Sequence, residues 1–571
     1  MRFNVRAGFF VFKQLVIQPY AGLQGPVLPN LDGKRILEYT FYTNKMPLSV
    51  SKILLLLPWV ALVAATASAQ PPAIWTGQYN NARTSANLSE TILNTSNVNT
   101  VQFGLLFSRQ VDGYIYAQPL YVPGVTIGAY TGNVVYVATM NNSVYAFDAD
   151  NPSNSAPLWQ VNLGPAYPVP TNAPFLDTQI GILSTPVIDT TSNTIYVVAL
   201  TFVNSRSVYS LHALDITSGH EKFGGPVVIQ GSVPGTASDA QNGVLALNPN
   251  NLMQRPALGL SNSTITIGFG TLFDSKQYHG WLLSYNASTL KQTGILCTTP
   301  NGTRGGIWMS GSGVAADVNG SYFITGDGTT GGGANLSSSF VRLNNQTSNS
   351  FTPANYQTLD NDDLDLNAGG VLLVPNTQLL LGAGKTGTMF VLNRANLGGL
   401  VAGNTQVVQS WQASAGCSAL TGNCDEIHHY AYWYEAPGQP LLYVWPWAEG
   451  LRAYAFNGTT FNTTPVAQNS AISNFPGGQL AISANGGTAG TGIVWAAMST
   501  QNTSLAPGSG VLRAFDAVSL TELWNSSMNS ADNAGVLAKF AEPTVVNGKV
   551  YLATFSNLLN VYGLKSNGKN E

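Results

Sequence analysis

A unit of two strands, a turn and a large apolar residue recurs along most of this chain. Its clearest copy reads NVVYVAT, NSVYAFDAD and PLWQV between Asn133 and Val161. Further copies follow at intervals of roughly 50–65 residues, which is the scale of propeller blades. Taking one central residue for each copy gives eight units, centred on Tyr136, Tyr196, Ile267, Phe323, Leu380, Tyr443, Val494 and Tyr551.

Each unit is too small to bury both faces of its sheet, so the repeat predicts radial stacking of four-stranded antiparallel sheets. Trp159 and Trp524, which follow the acid of their copies, are expected to wedge between neighbouring sheets. The last copy lacks its outermost strand, whereas a spare strand stands at Gly104–Val111. We therefore predict an all-β, eight-bladed β-propeller over residues 101–564, closed by the N-terminal strand because closure removes an exposed edge.

The composition supports this prediction and excludes other classes. Apolar residues make up 44% of the chain, enough for a large core, and the 59 glycines and 30 prolines are typical of many tight turns. Charged residues are only 9%, and the net charge is −3. Because there is no surplus of cations to neutralise phosphates, we expect no nucleic-acid partner.

The first part of the chain has the pattern of a secretory signal peptide. Lys52 precedes the mostly apolar run 53–65, and Ala67-Ser68-Ala69 offers a small-residue cleavage site. Residues 46–69 are therefore predicted to be the signal peptide, and residues 1–45 an upstream extension that a mis-called start codon explains. A signal anchor is the alternative, although the run is short for a bilayer. Residues 70–100 would be an N-terminal segment and 565–571 a C-terminal tail, and we expect no membrane contact beyond the signal segment.

Sequons and cysteines agree with an extracellular location. Cys417 and Cys424 are close enough in sequence for one disulfide, which we favour over two free thiols, and Cys297 would stay unpaired. The chain has thirteen Asn-x-Ser/Thr sequons that could carry glycans in a secreted protein. They are at Asn87, Asn94, Asn141, Asn262, Asn286, Asn301, Asn319, Asn335, Asn345, Asn457, Asn462, Asn502 and Asn525.

The repeat resembles that of the pyrroloquinoline-quinone (PQQ) propeller proteins, from about residue 100 to 564. The resemblance rests on Ala146-Phe147-Asp148 with Trp159, and on Ala213-Leu214-Asp215 with Ser218-Gly219. That superfamily contains PQQ-dependent alcohol dehydrogenases, with PQQ and calcium in an eight-bladed ring, and non-catalytic propellers that act as scaffolds. The repeat is therefore specific for the fold and weak for function.

The resemblance to the dehydrogenases extends to individual residues. Trp308 corresponds to the tryptophan that precedes the calcium-binding turn, and Asp327 stands where that turn has an asparagine ligand. Lys385 occupies the position of the cationic residue that touches the quinone oxygens in the dehydrogenases, where it would stabilise developing negative charge. The acidic calcium ligand of the second blade falls at Asn204. Trp447 is a further candidate for the wall of the cofactor pocket.

Three departures from the dehydrogenase pattern count against PQQ binding. Asn204 lacks the charge of the acidic ligand. The catalytic base would fall near Gly333 or Ala334, and neither can accept a proton. Finally, the adjacent-cysteine disulfide expected between Trp159 and Gly181 is absent from the sequence.

An acidic cluster offers a second candidate for catalysis. Asp360, Asp362, Asp363 and Asp365 precede a strand at the ring's central face, where close carboxylates would raise one another's pKa as a general acid requires. A solvated turn is the alternative. His428 and His429 begin another inner strand, and because neighbouring residues of a strand face opposite ways, at most one of them faces a common ligand.

Three functions fit the sequence. The first is a secreted, quinoprotein-like oxidoreductase acting on an alcohol, sugar or small secondary metabolite, with Trp308, Asp327 and Lys385 as contacts and Asp363 or Asp365 as base. The second is a secreted lyase or cyclase without quinone, using the acidic cluster and His428. The third is a scaffold or binding propeller. In each case the expected ligand is a small molecule or carbohydrate at the central face.

Overall fold

Eight four-stranded antiparallel sheets form a ring in the computed structural model of this chain, which confirms the predicted eight-bladed β-propeller. The structure describes residues 70–169, 178–271, 277–331, 333–344, 347–417, 424–504 and 506–565. The predicted extension and signal peptide, the sequon at Asn345 and residues 566–571 lie outside the described residues.

The blades follow the repeat units closely. Each of the eight central residues taken from the sequence lies in the second strand of its blade. Blades 1 to 4 consist of Leu120–Ile127, Tyr130–Ala138, Ser143–Asp148 and Trp159–Asn162; Val187–Asp189, Thr194–Val203, Arg206–Asp215 and Val227–Val228; Gly259–Ser261, Thr264–Thr271, Trp281–Asn286 and Gln292–Cys297; and Ala315–Asp317, Gly320–Ile324, Phe340–Asn344 and Thr347–Thr352. Blades 5 to 8 consist of Leu372–Leu373, Leu379–Gly382, Thr388–Asn393 and Gln409–Gln412; Tyr430–Trp433, Leu441–Val444, Arg452–Ala455 and Ala467–Gln468; Gln479–Ser483, Ile493–Ser499, Gly510–Asp516 and Glu522–Asn525; and Thr544–Val546, Lys549–Ala553, Leu558–Leu564 and the N-terminal Phe103–Gln110.

The remaining elements are short additions to the ring. Within the described residues, three strands extend blades 3, 4 and 7, and four two-stranded hairpins lie outside the blades. The extending strands are Leu252–Met253, Gly399–Leu400 and Ala86–Asn87. The hairpins are Tyr167–Pro168 with Gln179–Ile180, Ser232–Pro234 with Val244–Ala246, Thr330–Gly331 with Asn335–Leu336, and Gly416–Cys417 with Cys424–Asp425. The α-helix is Tyr356–Asn361, and 3-10 turns occur at Pro249–Asn251, Met309–Gly311, Leu366–Ala368, Ala402–Asn404 and Ser530–Asp532.

The ring is closed by the strand predicted from the sequence. Phe103–Gln110 pairs antiparallel with Leu558–Leu564 and supplies the outermost strand of blade 8. Phe103 is fully buried there, with its ring 4.9 Å from that of Trp524 in blade 7. Trp524 therefore packs between two blades, as its position in the repeat predicted, and the closure leaves no unpaired edge between the first and last repeats.

The segment before the closing strand fills the axis of the ring, which the sequence analysis did not predict. The first strands of neighbouring blades contact one another, so these strands face the axis. Residues 74–87 run among them and bond to the backbone at or beside the first strand of each blade. The partners are Tyr121, Ile188, Leu258, Ala316, Leu373, Tyr432, Ile482 and Val545.

Arg83 anchors this axial segment by hydrogen bonds to backbone oxygens. Its guanidinium is fully buried and donates to Val314 O at 2.6 Å and to Gly77 O at 2.6 Å. It also reaches Leu258 O at 3.3 Å. Burial lowers the pKa of Arg83 to about 9, so it remains charged at neutral pH. The charge is therefore held by carbonyl dipoles.

Among the described residues, no helix is both long enough and apolar enough to span a bilayer.

Candidate active site

Three predicted site residues occupy equivalent positions in successive blades. Asp327, Lys385 and Trp447 each follow the second strand of their blade by the same number of residues, after Ile324, Gly382 and Val444. Antiparallel pairing starts the first strand where the second one ends, so the segments between blades reach the same end of the ring. We call this end the mouth.

Carboxylates from the segment before blade 5 surround Lys385 at the mouth. Lys385 Nζ lies 2.8 Å from Asp365 Oδ2 and 3.1 Å from Asp363 Oδ2, and it also donates to Asp363 O at 2.9 Å. Carboxylate oxygens of Asp327, Asp363 and Asp365 all lie within 4.8 Å of one another. The structure therefore brings together four residues that the sequence analysis selected from two different blades.

Asp327 is the most buried carboxylate of this group. Its side chain is 5% exposed and pairs with Arg304, which also lies 3.8 Å from Asp360. Burial raises the pKa of Asp327 to about 7, with the charge of Asp365 adding to the effect and Arg304 opposing it. Asp327 can therefore both accept and release a proton near neutral pH.

The pKa of Asp365 is also raised, but its partner Lys385 opposes the increase. Burial raises the pKa of Asp365, whereas the neighbouring Lys385 lowers it. For Lys385, burial alone would lower the pKa, yet the charges of Asp365 and Asp363 raise it overall. The pair therefore carries a fixed positive charge beside a carboxylate that can accept a proton.

Two buried oxygen atoms beside this group have no hydrogen-bond partner in the described part of the chain. They are Asp365 Oδ1 and Asn367 Oδ1. Both face Gly326: a Cβ there would lie 2.9 Å from Asp365 Oδ1 and 3.1 Å from Asn367 Oδ1. The absence of a side chain at Gly326 thus lets both oxygens lie against its backbone with their hydrogen-bonding capacity unused.

His428 lies on another wall of the mouth. Its Nε2 is 3.3 Å from Glu426 Oε2, and its Nδ1 is 2.9 Å from Pro476 O. Burial would raise the pKa of Glu426, but His428 and Lys385 lower it overall. His429 instead pairs with Glu542 at 2.9 Å, beside the axial segment. The two histidines therefore have different partners, as neighbouring residues of a strand should.

The predicted disulfide is present next to this wall. Cys417 and Cys424 are bonded, and Cys417 N donates to Lys385 O at 2.6 Å. Cys424 Sγ lies 3.6 Å from Glu426 Oε1. The disulfide therefore supports the loop beside Lys385, while Cys297 is free and buried.

The predicted metal ligand Asn204 lies at the tip of the long hairpin of blade 2, between the second strand, which ends at Val203, and the third strand, which begins at Arg206. Asn204 is exposed and has a φ of 51°, the left-handed conformation that asparagine tolerates in tight turns. Its position is explained by this turn. Its role as a metal ligand stays a prediction.

Aromatic rings and an arginine line the rest of the mouth. The Arg255 guanidinium carbon lies 5.1 Å from the Trp308 ring centroid and 4.7 Å from that of Phe540. The Trp447 and Phe475 rings are 5.3 Å apart. Sequence reasoning selected both tryptophans but missed Arg255, Arg304, Glu426 and Phe540. The one available signal was their place just before a strand of the repeat, where inter-blade segments reach the mouth.

No family model and no curated protein matches this chain. Among solved structures it is similar to the quinohemoprotein alcohol dehydrogenase ADHIIG from Pseudomonas putida HK5, at 14% identity over 87% of this chain and 81% of that chain, with a TM-score of 0.54. It is also similar to the quinohemoprotein alcohol dehydrogenase from Comamonas testosteroni, at 15% identity over 90% and 83% of the two chains, with a TM-score of 0.54.

The chain has the quinoprotein alcohol dehydrogenase fold. This agreement confirms the resemblance that the repeat indicated. At these identities the likeness shows the fold alone, so activity must be argued from the residues of the mouth.

In this quinoprotein fold, the residues present do not accommodate PQQ on Trp308. A planar quinone held by stacking would need an open face of the Trp308 ring. The Arg255 guanidinium instead lies over that ring and also contacts the ring of Phe540. A Cβ on Gly270 would lie 3.1 Å from Trp308 Cδ2, so the backbone of Gly270 is also close to the indole. A planar quinone would have to displace Arg255.

The carboxylates likewise do not suit a calcium ion as they stand. Three ligands are close enough to share one. However, Lys385 Nζ lies within hydrogen-bond distance of two of them, and Arg304 pairs with the third. These cations already balance the negative charge, so a divalent ion would have to displace Lys385.

Proposed function

We propose that this chain is an enzyme that transfers protons in a small molecule bound at the mouth, without a quinone. The observation that carries the proposal is the contact of Lys385 with Asp363 and Asp365, with Asp327 within 4.8 Å of both carboxylates. Such a group offers a base, an acid and a fixed cation within reach of one ligand.

The role of each residue follows from its environment. Lys385 favours the ionised form of Asp365. This carboxylate takes a proton from a carbon next to a carbonyl group of the substrate. The electron pair of the broken C–H bond moves toward the carbonyl oxygen, and Lys385 stabilises the negative charge there. Asp327, whose pKa is about 7, returns a proton to the leaving group or to another carbon. Elimination by a lyase and ring closure by a cyclase are reactions of this kind.

The test uses the secreted chain with a panel of carbonyl compounds in D2O, without added PQQ or metal. Incorporation of deuterium at carbon, followed by NMR, reports proton abstraction directly. We expect Asp365→Asn to lower the exchange rate by about 100-fold or more. Asp150→Asn is the matched control, because Asp150 pairs with Lys549 at 2.7 Å in a comparable ion pair that involves no residue of the mouth. Equal rates in the parent and Asp365→Asn would contradict the proposal.

Quinone-dependent alcohol oxidation is the second candidate. It is favoured by the meeting of Trp308, Asp327, Asp365 and Lys385 at the mouth of a quinoprotein fold. It requires PQQ and calcium to displace Arg255 and Lys385. Alcohol-dependent dye reduction and a raised Tm only when both are added would select this candidate, because a ligand of the folded state raises the Tm. If neither assay gives activity, the scaffold function is selected instead.

We further propose that the enzyme acts outside the cell. The signal-peptide pattern in the sequence supports this, together with several sequons whose asparagines are exposed. Its partner would be the small-molecule or carbohydrate substrate itself. The location is tested by mass spectrometry of the medium and of the cell pellet from an expressing culture. Protein that stays in the cells and still carries residues 46–69 would overturn the proposed extracellular location.

A further inference from the structure

Arg255 is a partly buried cation with an unusual environment in this chain. Its guanidinium carbon lies 5.1 Å from the ring centroid of Trp308 and 4.7 Å from that of Phe540. Its Nε is buried and has no hydrogen-bond partner, and within the described ranges no carboxylate forms an ion pair with it. An arginine without a partner anion is costly to bury.

Two fully buried arginines, Arg83 and Arg109, show how the same chain satisfies this side chain elsewhere. Arg83 donates to three backbone carbonyls and a threonine hydroxyl. Arg109 donates to Asn151 O at 2.6 Å and to Asp148 O at 3.1 Å. The lack of such acceptors at Arg255 is therefore a local feature, and a departure of this type is expected where a ligand binds.

The contacts with the two rings leave a defined part of Arg255 for a ligand. An aromatic ring in a cation–π contact interacts with the guanidinium as a whole, whereas hydrogen bonds are made by the N–H groups at its edge. The ring contacts therefore do not use these N–H groups. A carboxylate matches such an edge, because its two oxygens accept two parallel hydrogen bonds.

Arg255 also lies near the proton-transfer group. A Cβ on Gly306 would lie 3.1 Å from Trp308 Nε1, so the backbone of Gly306 is next to the ring that Arg255 contacts. Trp308 follows Gly306, whose carbonyl accepts from Asn367 Nδ2 at 2.8 Å. One molecule can thus reach Arg255 and the Asp365 side of the mouth.

The surfaces beside Arg255 are aromatic. Phe475 lies 5.3 Å from Trp447, 5.2 Å from His428 and 6.3 Å from Phe540, measured between ring centroids. Lys539 Nζ lies 5.5 Å from the Phe475 ring. Rings of this kind bind a flat apolar body by stacking or edge contacts, and the second cation adds to the preference for an anion.

We infer that Arg255 is the carboxylate-binding residue of the substrate site, and that the substrate is an aromatic or conjugated carboxylic acid. This inference rests on the proposed function, since it names the substrate class of the same mouth. The carboxylate pairs with the edge of Arg255, and the flat body lies against the Phe475 and Trp447 side.

The test compares two probes that differ only in charge. Binding of 2-naphthoate and 2-naphthamide to the full secreted chain is measured by calorimetry. We expect 2-naphthoate to bind at least about tenfold more tightly than the amide, and Arg255→Gln to remove that difference, because a charged hydrogen bond is lost. Arg513→Gln is the matched control, since Arg513 pairs with Glu522 in blade 7. Equal affinities for the two probes, or an unchanged preference in Arg255→Gln, would overturn the inference.

Two additional variants keep the test decisive. Arg255→Lys preserves the positive charge, so this variant should fold even if Arg255→Gln does not. It lacks the planar guanidinium edge, so it should bind 2-naphthoate more weakly than the parent. Parent-like binding in Arg255→Lys would contradict a paired, edge-on contact. In Asp365→Asn, binding of 2-naphthoate should persist while exchange at carbon is lost. If the parent protein shows normal exchange at carbon but no preference for 2-naphthoate, only the carboxylate site is rejected. If it binds 2-naphthoate as expected but shows no exchange, only the proton-transfer function is rejected.

Discussion

Lys385 Nζ lies 2.8 Å from Asp365 Oδ2, although the two residues come from different segments, one before and one after the first two strands of blade 5. Their contact joins a loop at the end of a second strand to the segment that leads into the blade. The fold alone places both segments at the mouth. The ion pair then determines which carboxylate stays ionised and where a fixed positive charge stands.

Replacing Lys385 by Met should destabilise the protein more at pH 8 than at pH 5. Without the cation, Asp365 is a buried carboxylate with a pKa raised further above its unfolded value. A protein that contains such a group becomes less stable as pH rises, because the carboxyl loses its proton at a lower pH in the unfolded state than in the folded state. We expect a loss of about 3 kcal/mol in the free energy of unfolding at pH 8, measured by urea denaturation. Lys549→Met, at the more exposed pair with Asp150, should cost under about 1 kcal/mol. Equal losses for both variants at both pH values would show that Asp365 is not held by Lys385.

Replacing Asp327 by Asn should flatten the pH dependence of stability. The folded pKa of Asp327 is about 7, above the usual 3.8. Between these values the folded state holds a proton that the unfolded state has lost, so the parent loses stability as pH rises through this window. Asp327→Asn avoids this loss, and its Tm relative to the parent should rise from pH 4 to pH 7. A constant difference in Tm across that range would contradict the raised pKa.

The axial segment should contribute strongly to stability through Arg83. Arg83→Met leaves the carbonyls of Val314, Gly77 and Leu258 without their buried donor. We expect the free energy of unfolding to fall by about 3–5 kcal/mol. Arg513→Met, whose partner Glu522 is partly exposed, should change it by under about 1 kcal/mol. Chemical denaturation measures both, and a small effect of Arg83→Met would show that the axial segment is only loosely held.

Glycan occupancy should follow the exposure of each sequon. Asn87 is 4% exposed and its amide nitrogen donates to Val545 O at 3.0 Å, so the fold cannot accept a glycan there, and the prediction from its sequon was wrong. Asn525 is nearly as buried and donates to Glu522. Peptide mass spectrometry of the secreted protein should find glycans only at accessible sites and never at Asn87. The exposed sequon asparagines are Asn262, Asn301, Asn319, Asn457, Asn462 and Asn502. A glycan on Asn87 would contradict the placement of the axial segment.

The fold was predictable because the repeat itself encodes it. Each central residue, such as Tyr136 or Tyr551, marks a strand buried on both faces, and the missing last strand required a partner. The axial segment was not predictable. Residues 74–87 share no period with the blades, and their conformation is set by carbonyl and amide groups of distant strands.

The candidate site was predictable only in part. Asp327, Lys385 and Trp447 stand at equivalent positions after their strands, so the repeat marks them. Arg255 and Arg304 carry no motif, and their roles depend on contacts with Trp308, Phe540 and Asp327 that form only when the blades assemble. Asn204 stands at the tip of a blade 2 hairpin whose two strands are each 10 residues long, a length that counting back from Asp215 could not show.

The most direct test of the proton-transfer site is a titration of aspartate carboxyl groups by NMR, using the full chain labelled with 13C at aspartate Cγ. We predict one carboxyl with a midpoint near 7 that disappears in Asp327→Asn and shifts in Lys385→Met. If every aspartate titrates below about 5, within the ordinary range of that side chain, the mouth holds no proton-transferring carboxyl and the proposed chemistry is contradicted.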